Sequence, residues 1–301
     1  MKILIFGSTG WFGKATLDYF IRRFNDQCEF TLISSSRKSF EFKGYIFNTE
    51  NLEYFNLIKD STFDYYFDFA FLTGKNVTEL SNDIYVSQTD KLINSSNNFL
   101  KNNYVKKALL TSSGAVYWKG TSNETIYTLQ KIKQEKKFLN TCKDNDIDYS
   151  IARVFAVIAK HYNYNFNYAF SSFVQQSITK KEIRINSDKK VIRSYLIFDN
   201  LMDYFIDNEK NNKVYDAWNL KLDIYELAEI ISTINNCPII MENDYLSAHK
   251  IDEYTSKDFS FKNYFQDEIN LEKIILDYIN YTENAENKFT FMIKPGNFFM
   301  L

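Results

Sequence analysis

The sequence contains little glycine, proline or histidine. Its 301 residues include 8 Gly, 2 Pro and 2 His, against 28 Phe and 22 Tyr. Since ordinary proteins contain roughly 7% glycine and roughly 5% proline, this composition excludes a collagen-like, linker-rich or low-complexity chain. Each glycine that remains is expected at a position where no other residue fits.

Residues able to bind a metal ion are also scarce. His161 and His249 form no paired pattern, and Cys28, Cys142 and Cys237 lie too far apart in sequence for the usual spacings of a zinc site. We therefore predict no metal. Three cysteines, an odd and low number, favour a reducing compartment over a disulfide framework, so we expect a cytoplasmic protein.

Charge and hydropathy exclude two further classes of protein. The net charge of −2 provides no overall attraction to nucleic acid or to an anionic membrane. No apolar run reaches the roughly 18 residues that a membrane-spanning helix needs. The apolar start of the chain, Met1–Phe6, is interrupted at once by Gly7 and has no cleavage site after it, so we interpret it as a buried strand and not a signal peptide.

The order of the apolar segments predicts an α/β fold. Short apolar runs typical of buried strands lie at Lys2–Phe6, Glu29–Ile33, Tyr45–Phe47, Tyr65–Leu72, Ala108–Thr111 and Tyr149–Ala159. Apolar residues with helical spacing lie between them, at 14–24, 83–101 and 127–143. This alternation predicts a Rossmann-type, doubly wound parallel sheet with right-handed crossovers.

The second half of the chain has a different rhythm. We predict a Rossmann domain over 1–160 and a smaller, mixed substrate-binding lobe over 161–301, interleaved and without a linker. Helices are expected in this lobe at 169–180, 199–208, 223–235 and 268–282. Residues 162–168 alternate aromatic residues with asparagine, a pattern that suits packing within the lobe or stacking on a nucleotide base.

Three of the eight glycines fall in one loop between the first strand and the first helix. The pattern is GxxGxxG, and the loop consists of Gly7, Ser8, Thr9, Gly10, Trp11, Phe12 and Gly13. In a dinucleotide-binding loop the first glycine permits a tight turn, the second a close approach to pyrophosphate, and the third the packing of helix on strand. The helix N-terminus then presents N–H groups to the phosphates. The alternative is a turn that needs glycine for its backbone alone.

The end of the second strand indicates which dinucleotide binds. NAD-binding proteins place a carboxylate there for the ribose hydroxyl, whereas an arginine accommodates the 2′-phosphate of NADP. This chain has no acidic residue at that point but the run Ser34, Ser35, Ser36, Arg37 and Lys38. We therefore predict NADP(H) as the cofactor, with NAD(H) as the alternative if the run is only an exposed basic turn.

A serine, a tyrosine and a lysine follow the fifth predicted strand. Ser113 lies at the strand end, and Tyr127 and Lys131 form a YxxxK pattern whose spacing places both on one face of a helix. An ammonium beside a phenol favours the phenolate, so Lys131 would lower the pKa of Tyr127 from about 10 and let it act as a general acid or base. Alone, the YxxxK pattern also fits a solvated helix surface.

Together these motifs resemble the extended short-chain dehydrogenase/reductase family, in its nucleotide-sugar epimerase, dehydratase and reductase group. The resemblance covers most of the chain and also includes 64–70 (DYYFDFA), 112–117 (SSGAVY), Glu135, 153–159 (RVFAVIA) and 193–201 (RSYLIFDNL). It implies that Ser113, Tyr127 and Lys131 are catalytic, and that Tyr127 and Lys131 also bind the cofactor, with Lys131 at the nicotinamide ribose. It further implies that Ala70 lies beside the adenosine of the cofactor and that Arg193 binds the substrate diphosphate. It also implies a homodimer formed through the Tyr–Lys helix.

The chain departs from the family pattern on the substrate side. Ala156 stands where the family commonly has an asparagine, and the segment between Ser113 and Tyr127 is short. Gly114 and Ala115 occupy the positions of the Asp–Glu pair of 4,6-dehydratases, so no acid or base for water elimination is present there. The predicted substrate-binding residues are Ser113, Gly114, Ala156 and Arg193.

These features predict an NADP(H)-dependent oxidoreductase that acts at C4 of a nucleotide-linked sugar, with a 4-keto reductase favoured. A 4-epimerase would use the same residues. A non-catalytic dinucleotide-binding sensor or scaffold is a further alternative, since a fold alone does not settle function. A reductase of small ketones would be favoured if Arg193 pointed away from the catalytic pocket.

Overall fold

A large, mostly parallel sheet forms the centre of the fold. The structure is a computed structural model that describes residues 1–161, 168–208, 212–243, 245–247, 249–265, 269–284 and 290–292. In the described residues the sheet has nine strands in the order β11-β7-β6-β5-β1-β2-β4-β3-β15. Neighbours from β11 to β4 run parallel, whereas β3 and β15 add an antiparallel edge. The Rossmann-type fold class is thereby confirmed.

The strands and helices of the described residues have the following bounds. The strands are β1 Lys2–Phe6, β2 Glu29–Ile33, β3 Lys38–Phe42, β4 Tyr45–Glu50, β5 Thr62–Asp68, β6 Tyr104–Ser113, β7 Asp148–Val154, β8 Ala156–Ile158, β9 Ile183–Ile185, β10 Lys190–Ile197, β11 Lys213–Ala217, β12 Leu220–Asp223, β13 Ile239–Met241, β14 Ile251–Tyr254 and β15 Thr290–Met292. The helices are α1 Trp11–Phe24, α2 Leu52–Leu57, α3 Gly74–Glu79, α4 Asn82–Asn102, α5 Ile126–Asp144, α6 Ala169–Thr179, α7 Phe198–Asp207, α8 Ile224–Asn235 and α9 Leu271–Glu283.

The central strand β1 is buried on both faces, as its unbroken apolar run predicts. Alternate side chains of a strand point to opposite faces. Ile3 and Ile5 therefore join the core under α1 and α7, whereas Leu4 and Phe6 join the core under α4 and α5. The loop after β1 lies at the point where the connections of two adjacent strands run over opposite faces of the sheet. Open parallel sheets bind nucleotides at this position.

The predicted strand Tyr149–Ala159 is in fact two strands that belong to different sheets. Strand β7 pairs with β6 and β11 in the large sheet, whereas β8 pairs with β10 in a second, four-stranded sheet. The chain crosses between the sheets at Phe155. The apolar run continues through the crossing because both strands are buried, so the hydrophobic pattern alone did not mark the break.

The second sheet carries the lobe that follows residue 160. Its strands β8, β10, β12 and β14 and the helices α6, α8 and α9 surround a separate apolar cluster. Two strands from this half, β11 and β15, nevertheless join the large sheet. No helix among the described residues is long and apolar enough to cross a membrane.

Charged contacts tie helix α1 to the second half of the chain. Asp18 is fully buried and contacts Arg22, Lys43 and His161 at 3.1, 2.8 and 3.4 Å. Burial alone would raise the pKa of Asp18, but the hydrogen bond from His161 and the charge of Arg22 hold it well below its usual range. His161 therefore has a structural role at this junction. Residues 162–167 of the aromatic stretch, which follow it in sequence, lie outside the described residues.

Candidate active site

A cavity of about 350 Å³ lies beside the glycine loop, at the carboxyl ends of β5, β6 and β7. Residues from both halves of the chain line it. They include Gly7, Gly10, Trp11 and Phe12 of the loop, Phe71, Ser113, Tyr127 and Lys131, and also Phe155, Ala156 and Tyr168. Three predicted catalytic residues, four of the loop residues and Ala156 thus share one space.

The glycine loop is shaped by close backbone contacts. Gly7 has φ +92°, a conformation that favours glycine, and its N–H and that of Ser8 both donate to the carbonyl of Ile33 at 2.9 Å. A Cβ on Gly13 would lie only 2.4 Å from the Gly7 carbonyl oxygen and 2.6 Å from the Ser8 Cα. Only glycine therefore allows α1 to approach β1 this closely.

The start of α1 suits a pyrophosphate. Its N-cap is Gly10, which gives no side-chain hydrogen bond, and its first turn has no acidic residue. The first N–H groups of a helix lack partners within the helix, and the helix dipole adds partial positive charge there. A Cβ on Gly7 would also meet the backbone nitrogen of Ala70 at 2.9 Å, so Ala70 lies directly beside the loop, on the predicted cofactor side.

The predicted 2′-phosphate site lies where β2 ends and β3 begins. Arg37 is largely exposed and forms an ion pair of 2.7 Å with Glu50, at the end of β4. Ser34 is buried and donates its hydroxyl to the carbonyl of Ser36 at 2.6 Å. Ser35 and Ser36 are exposed. A carboxylate, that of Glu50, therefore does lie beside the end of β2. It belongs to β4, so the sequence at the end of β2 does not reveal it.

Ser113 occupies the last position of β6 and faces the cavity. Its Oγ accepts a hydrogen bond from the Ala115 amide at 3.2 Å and lies 3.1 Å from the hydroxyl of Tyr254. Ser113 also interacts with the Tyr127 hydroxyl, and this contact acts to lower the pKa of Tyr127. Two phenols therefore flank the predicted catalytic serine.

Tyr127 lies in the first turn of α5. The helix begins after Thr125, whose side chain accepts the Thr128 amide at 3.3 Å in a reciprocal capping box. The Tyr127 ring contacts the ring of Phe71 edge-on at 5.9 Å. Burial raises the pKa of Tyr127 to about 12, with Ser113 opposing the shift. The prediction that Lys131 lowers this pKa is wrong, because burial dominates and the Lys131 ammonium is bound to Thr111 and Gln134.

Lys131 is buried one helical turn beyond Tyr127. Its Nζ donates to the carbonyl of Thr111 at 3.1 Å and to Gln134 at 3.0 Å, and it lies 3.9 Å from the centre of the Phe71 ring. Burial lowers the pKa of Lys131, while the carboxylate of Asp68 opposes this. The lysine is thus fixed at the cavity wall by its own contacts.

Asp68, at the end of β5, is a buried acid that the sequence did not single out. It accepts a hydrogen bond from Ser96 at 2.6 Å and interacts with the backbone of Ala70. Burial raises the pKa of Asp68, opposed by Ser96 and Lys131. The charges of Asp68 and the predicted catalytic lysine therefore act on each other without a direct ion pair.

Aromatic side chains close the substrate side of the cavity. The ring of Phe155 packs so tightly on Gly114 that a Cβ there would lie 2.3 Å from a ring carbon. Gly114 itself is buried beneath this ring. Ala156, the residue after Phe155, forms part of the cavity wall. Arg153 forms a two-fold ion pair with Glu135 at 2.8 and 2.9 Å, which joins two segments of the family resemblance.

Arg193 lies on a neighbouring cavity and does not line the catalytic one. Its guanidinium contacts the carboxylate of Asp252 at 2.8 Å and the Asp252 carbonyl at 2.7 Å. The second cavity is lined by Trp118, Ser122, Asn123, Thr125, Arg193, Asp252 and Tyr254. Tyr254 therefore stands between Arg193 and Ser113, at the boundary of the two cavities.

Comparison with known proteins identifies the family. Residues 3–220 match the NAD dependent epimerase/dehydratase family. The chain belongs to this family. The match confirms the resemblance to extended short-chain dehydrogenases/reductases, and with it the prediction of an enzyme of the epimerase/dehydratase type. No curated protein matches the sequence.

Solved structures of epimerases share the fold of this family member. UDP-glucose 4-epimerase of Thermotoga maritima aligns with a TM-score of 0.68 at 15% identity, over 93% of this chain and 98% of that one. UDP-N-acetylglucosamine 4-epimerase of Methanobrevibacter ruminantium gives 0.68 at 18% identity, over 93% and 96%. UDP-glucuronic acid 4-epimerase of Bacillus cereus, in complex with UDP-glucuronic acid and NAD, gives 0.66 at 14% identity, over 93% and 99%.

Proposed function

We propose that this epimerase/dehydratase family member uses NADP(H) to reduce the 4-keto group of a nucleotide-linked sugar. One observation carries the proposal: Ser113, Tyr127 and Lys131 line the same cavity as the glycine loop. Carbonyl reduction needs a hydride donor and a proton donor on one carbonyl group, and this arrangement supports both within one space.

Each residue would have a distinct task. Tyr127 gives its proton to the keto oxygen, Ser113 donates a hydrogen bond to that oxygen, and Lys131 adds positive charge beside the site. NADPH bound beside the glycine loop would supply the hydride. The carbonyl carbon would gain that hydride and its oxygen the proton of Tyr127, which would leave an alcohol and NADP⁺.

Water elimination is not part of the proposal. Gly114 and Ala115 have no acidic or basic side chain, and the Phe155 ring fills the space beside Gly114 where a side chain would have to lie. A 4,6-elimination requires a base and an acid near C5 and C6. These contacts favour hydride and proton exchange at one carbon.

The basic surroundings of the β2 end support NADP(H). Arg37 is exposed there. Burial lowers the pKa of Lys14, and the charge of the nearby Lys38 lowers it further. A doubly charged 2′-phosphate would bind such a cluster through charge-assisted hydrogen bonds. Glu50 is the competing feature, since its carboxylate could accept the ribose hydroxyls of NAD instead.

A nucleotide-sugar 4-epimerase is the second candidate. The solved structures described above carry that activity, and it would use the same serine, tyrosine and lysine. In an epimerase the keto intermediate would rotate within the site before the hydride is returned to it, so there is no net consumption of cofactor. Arg193 lies on the neighbouring cavity and not on the catalytic one, the placement that favours a reductase of small ketones, which is therefore a third candidate. A nucleotide-sugar substrate would have to extend past Tyr254 to place its diphosphate near Arg193, with the Asp252 pair opening to admit it.

One experiment separates these activities. The protein is mixed with NADPH and with 4-keto-6-deoxy sugars linked to dTDP, UDP, GDP or CDP, while NADPH absorbance is followed. Stoichiometric loss of NADPH that depends on Tyr127 supports the reductase. Interconversion of UDP-glucose and UDP-galactose without net loss supports the epimerase. Cofactor binding without conversion of any of these nucleotide sugars would contradict both the reductase and the epimerase. Reduction of small ketones alone would show that the substrate carries no nucleotide.

A further inference from the structure

Tyr254 is separated from Ser113 by 141 positions, yet the two hydroxyl oxygens lie 3.1 Å apart. Strand β14, which ends at Tyr254, pairs in parallel with β10, and Tyr254 is in register with Arg193. The second sheet thus places the phenol of Tyr254 beside Ser113, the last residue of β6. Neither the glycine loop nor the YxxxK pattern accounts for this residue.

The Tyr254 side chain is held in place by neighbouring aromatic rings. Its ring centre lies 4.9 Å from that of Trp118 and 4.9 Å from that of Phe155. Trp118 ends the short helical turn that follows Ser113, and Phe155 lies at the crossing between the two sheets. Two separate segments therefore fix the phenol, and a fixed donor loses little freedom when it forms a hydrogen bond.

The hydrogen-bonding capacity of Ser113 determines what this contact does. A serine hydroxyl has one donor and two acceptor sites. The Ala115 amide occupies one acceptor site of Ser113 at 3.2 Å. If Tyr254 occupies the second at 3.1 Å, the only group left on the serine is its hydrogen, which then points toward Tyr127 and the cavity.

We propose that Tyr254 is a positioning residue: it donates a hydrogen bond to Ser113 and thereby directs the serine hydrogen toward the oxygen that Tyr127 protonates. This inference rests on the proposed function, because it assigns the direction of a hydrogen bond in that same site. No proton is transferred from Tyr254. A hydroxyl that accepts one hydrogen bond becomes a better donor in the next, so the contact also strengthens the bond from Ser113.

Several other groups face Tyr127 and act on its ionisation. Tyr85 faces it from α4, Tyr168 faces it from the start of α6, and Tyr254 faces it from β14. Lys131 lies on the same helix, with its ammonium bound to Thr111 and Gln134. Asp68 acts indirectly, through its effect on the charge of Lys131. Replacing Tyr254 by phenylalanine leaves the other groups in place, so a change in the ionisation of Tyr127 in that variant reports the loss of the Tyr254 hydroxyl, which faces both Ser113 and Tyr127.

The test is Tyr254→Phe, with Tyr245→Phe as the matched control. Tyr245 lies in the same lobe and donates to Asp223 while accepting the Val191 amide at 2.8 Å, away from both cavities. With NADPH and the 4-keto-6-deoxy nucleotide sugar that the wild type reduces, Tyr254→Phe should lower kcat about tenfold with little change in KM. The alkaline limb of its pH profile should move to higher pH, because Tyr127 loses the directed donor that favours its phenolate.

A lower kcat with an unshifted pH profile would reduce Tyr254 to a packing role and overturn the proposal. So would an equal loss in Tyr245→Phe. A second arm needs no substrate. Neutron structures of the wild type and of Tyr254→Phe with NADP⁺ should show the Ser113 hydrogen directed toward Tyr127 and the cavity in the wild type and in a different or divided orientation in the variant, since only the Ala115 amide still binds the oxygen. The same single hydrogen orientation in both contradicts the proposal, whereas a wild type that reduces none of the sugars contradicts the proposed function alone.

Discussion

The cofactor side and the substrate side of the cavity are built in different ways. The cofactor side consists of segments that are local in sequence, the loop over 7–13 and the part of α5 that carries Lys131. Tyr127, one helical turn before Lys131, lies where the two sides meet. The substrate side consists of contacts between distant segments, such as Ser113 with Tyr254 and Arg193 with Asp252. Backbone approach shapes the first, and side-chain packing shapes the second.

This difference indicates which property can vary. A pyrophosphate demands close approach of the backbone, so few sequences satisfy it. A wall of side chains can be rebuilt one residue at a time without moving the strands. The two sides should therefore respond separately to mutation, with cofactor affinity affected on one side and substrate KM on the other. Only the groups that act on the transferred proton where the two sides meet, Tyr127 and the Ser113–Tyr254 pair, should affect kcat alone.

The largest effect is expected at Tyr127, which lies between the two sides. Tyr127→Phe removes the proton donor and should lower kcat by about 10²- to 10⁴-fold, while NADPH affinity stays within about twofold. Steady-state kinetics and fluorescence titration of the cofactor measure the two quantities. Tyr117→Phe is the control, because that hydroxyl is bound to Asp216 at 2.9 Å. Near-normal turnover of Tyr127→Phe would refute the assigned proton donor.

Gly13→Ala should break the cofactor side alone. The new methyl group would lie 2.4 Å from the Gly7 oxygen, so α1 must shift away from the loop. Displacements of this kind can cost about a hundredfold in function, and overpacking typically costs about 1–3 kcal/mol of unfolding free energy. We expect a matching loss of NADPH affinity and a lower Tm.

Gly44→Asn provides the control for Gly13→Ala. Gly44 has φ +79° and no atom within 4 Å of an added Cβ, and asparagine tolerates this backbone conformation better than other residues. Its cofactor affinity should match that of the wild type. If both variants bind NADPH normally, the loop is only a tight turn and the dinucleotide interpretation fails.

Arg193→Met should break the substrate side alone. Loss of a charge-assisted bond to the substrate diphosphate should raise KM for a nucleotide sugar about 10- to 100-fold, with NADPH affinity unchanged. Arg184→Met is the control, since Arg184 is exposed and its ion pairs with Glu182 and Glu242 lie on the lobe surface. An unchanged KM would show that the Arg193–Asp252 pair is structural and would favour a substrate without a diphosphate.

The sequence predicted the cofactor side well because its residues are near neighbours in the chain. A glycine pattern after a buried strand and a spacing of four on a helix are local signals, and the structure brings Gly7, Gly10, Tyr127 and Lys131 to one cavity. The same reasoning missed the buried carboxylate of Asp68, whose charge acts on Lys131. Its position at a strand end gives no indication that the fold will bury it and bond it to Ser96.

The substrate side could not be predicted because it depends on strand pairing at long range. Strand β14 was not recognised, since Ile251–Tyr254 is short and mostly exposed, and nothing in it specifies its register against β10. The crossing at Phe155 was hidden in an unbroken apolar run. Without these two features the sequence could not show that Tyr254 separates Arg193 from Ser113.

The smallest effect is expected at the rim of the cofactor side, where Arg37 meets Glu50. The Arg37 side chain is 66% exposed, so solvent screens this pair and its contribution is in the range of about 0.2–1 kcal/mol. Glu50→Gln releases the guanidinium for a 2′-phosphate and should improve NADPH affinity by no more than about fivefold, with NADH unchanged. Arg37→Ala should weaken NADPH by a similar factor. If Glu50→Gln instead weakens NADH binding, the carboxylate is the ribose ligand and the cofactor is NAD(H). In that case β4, and not the end of β2, determines which dinucleotide binds.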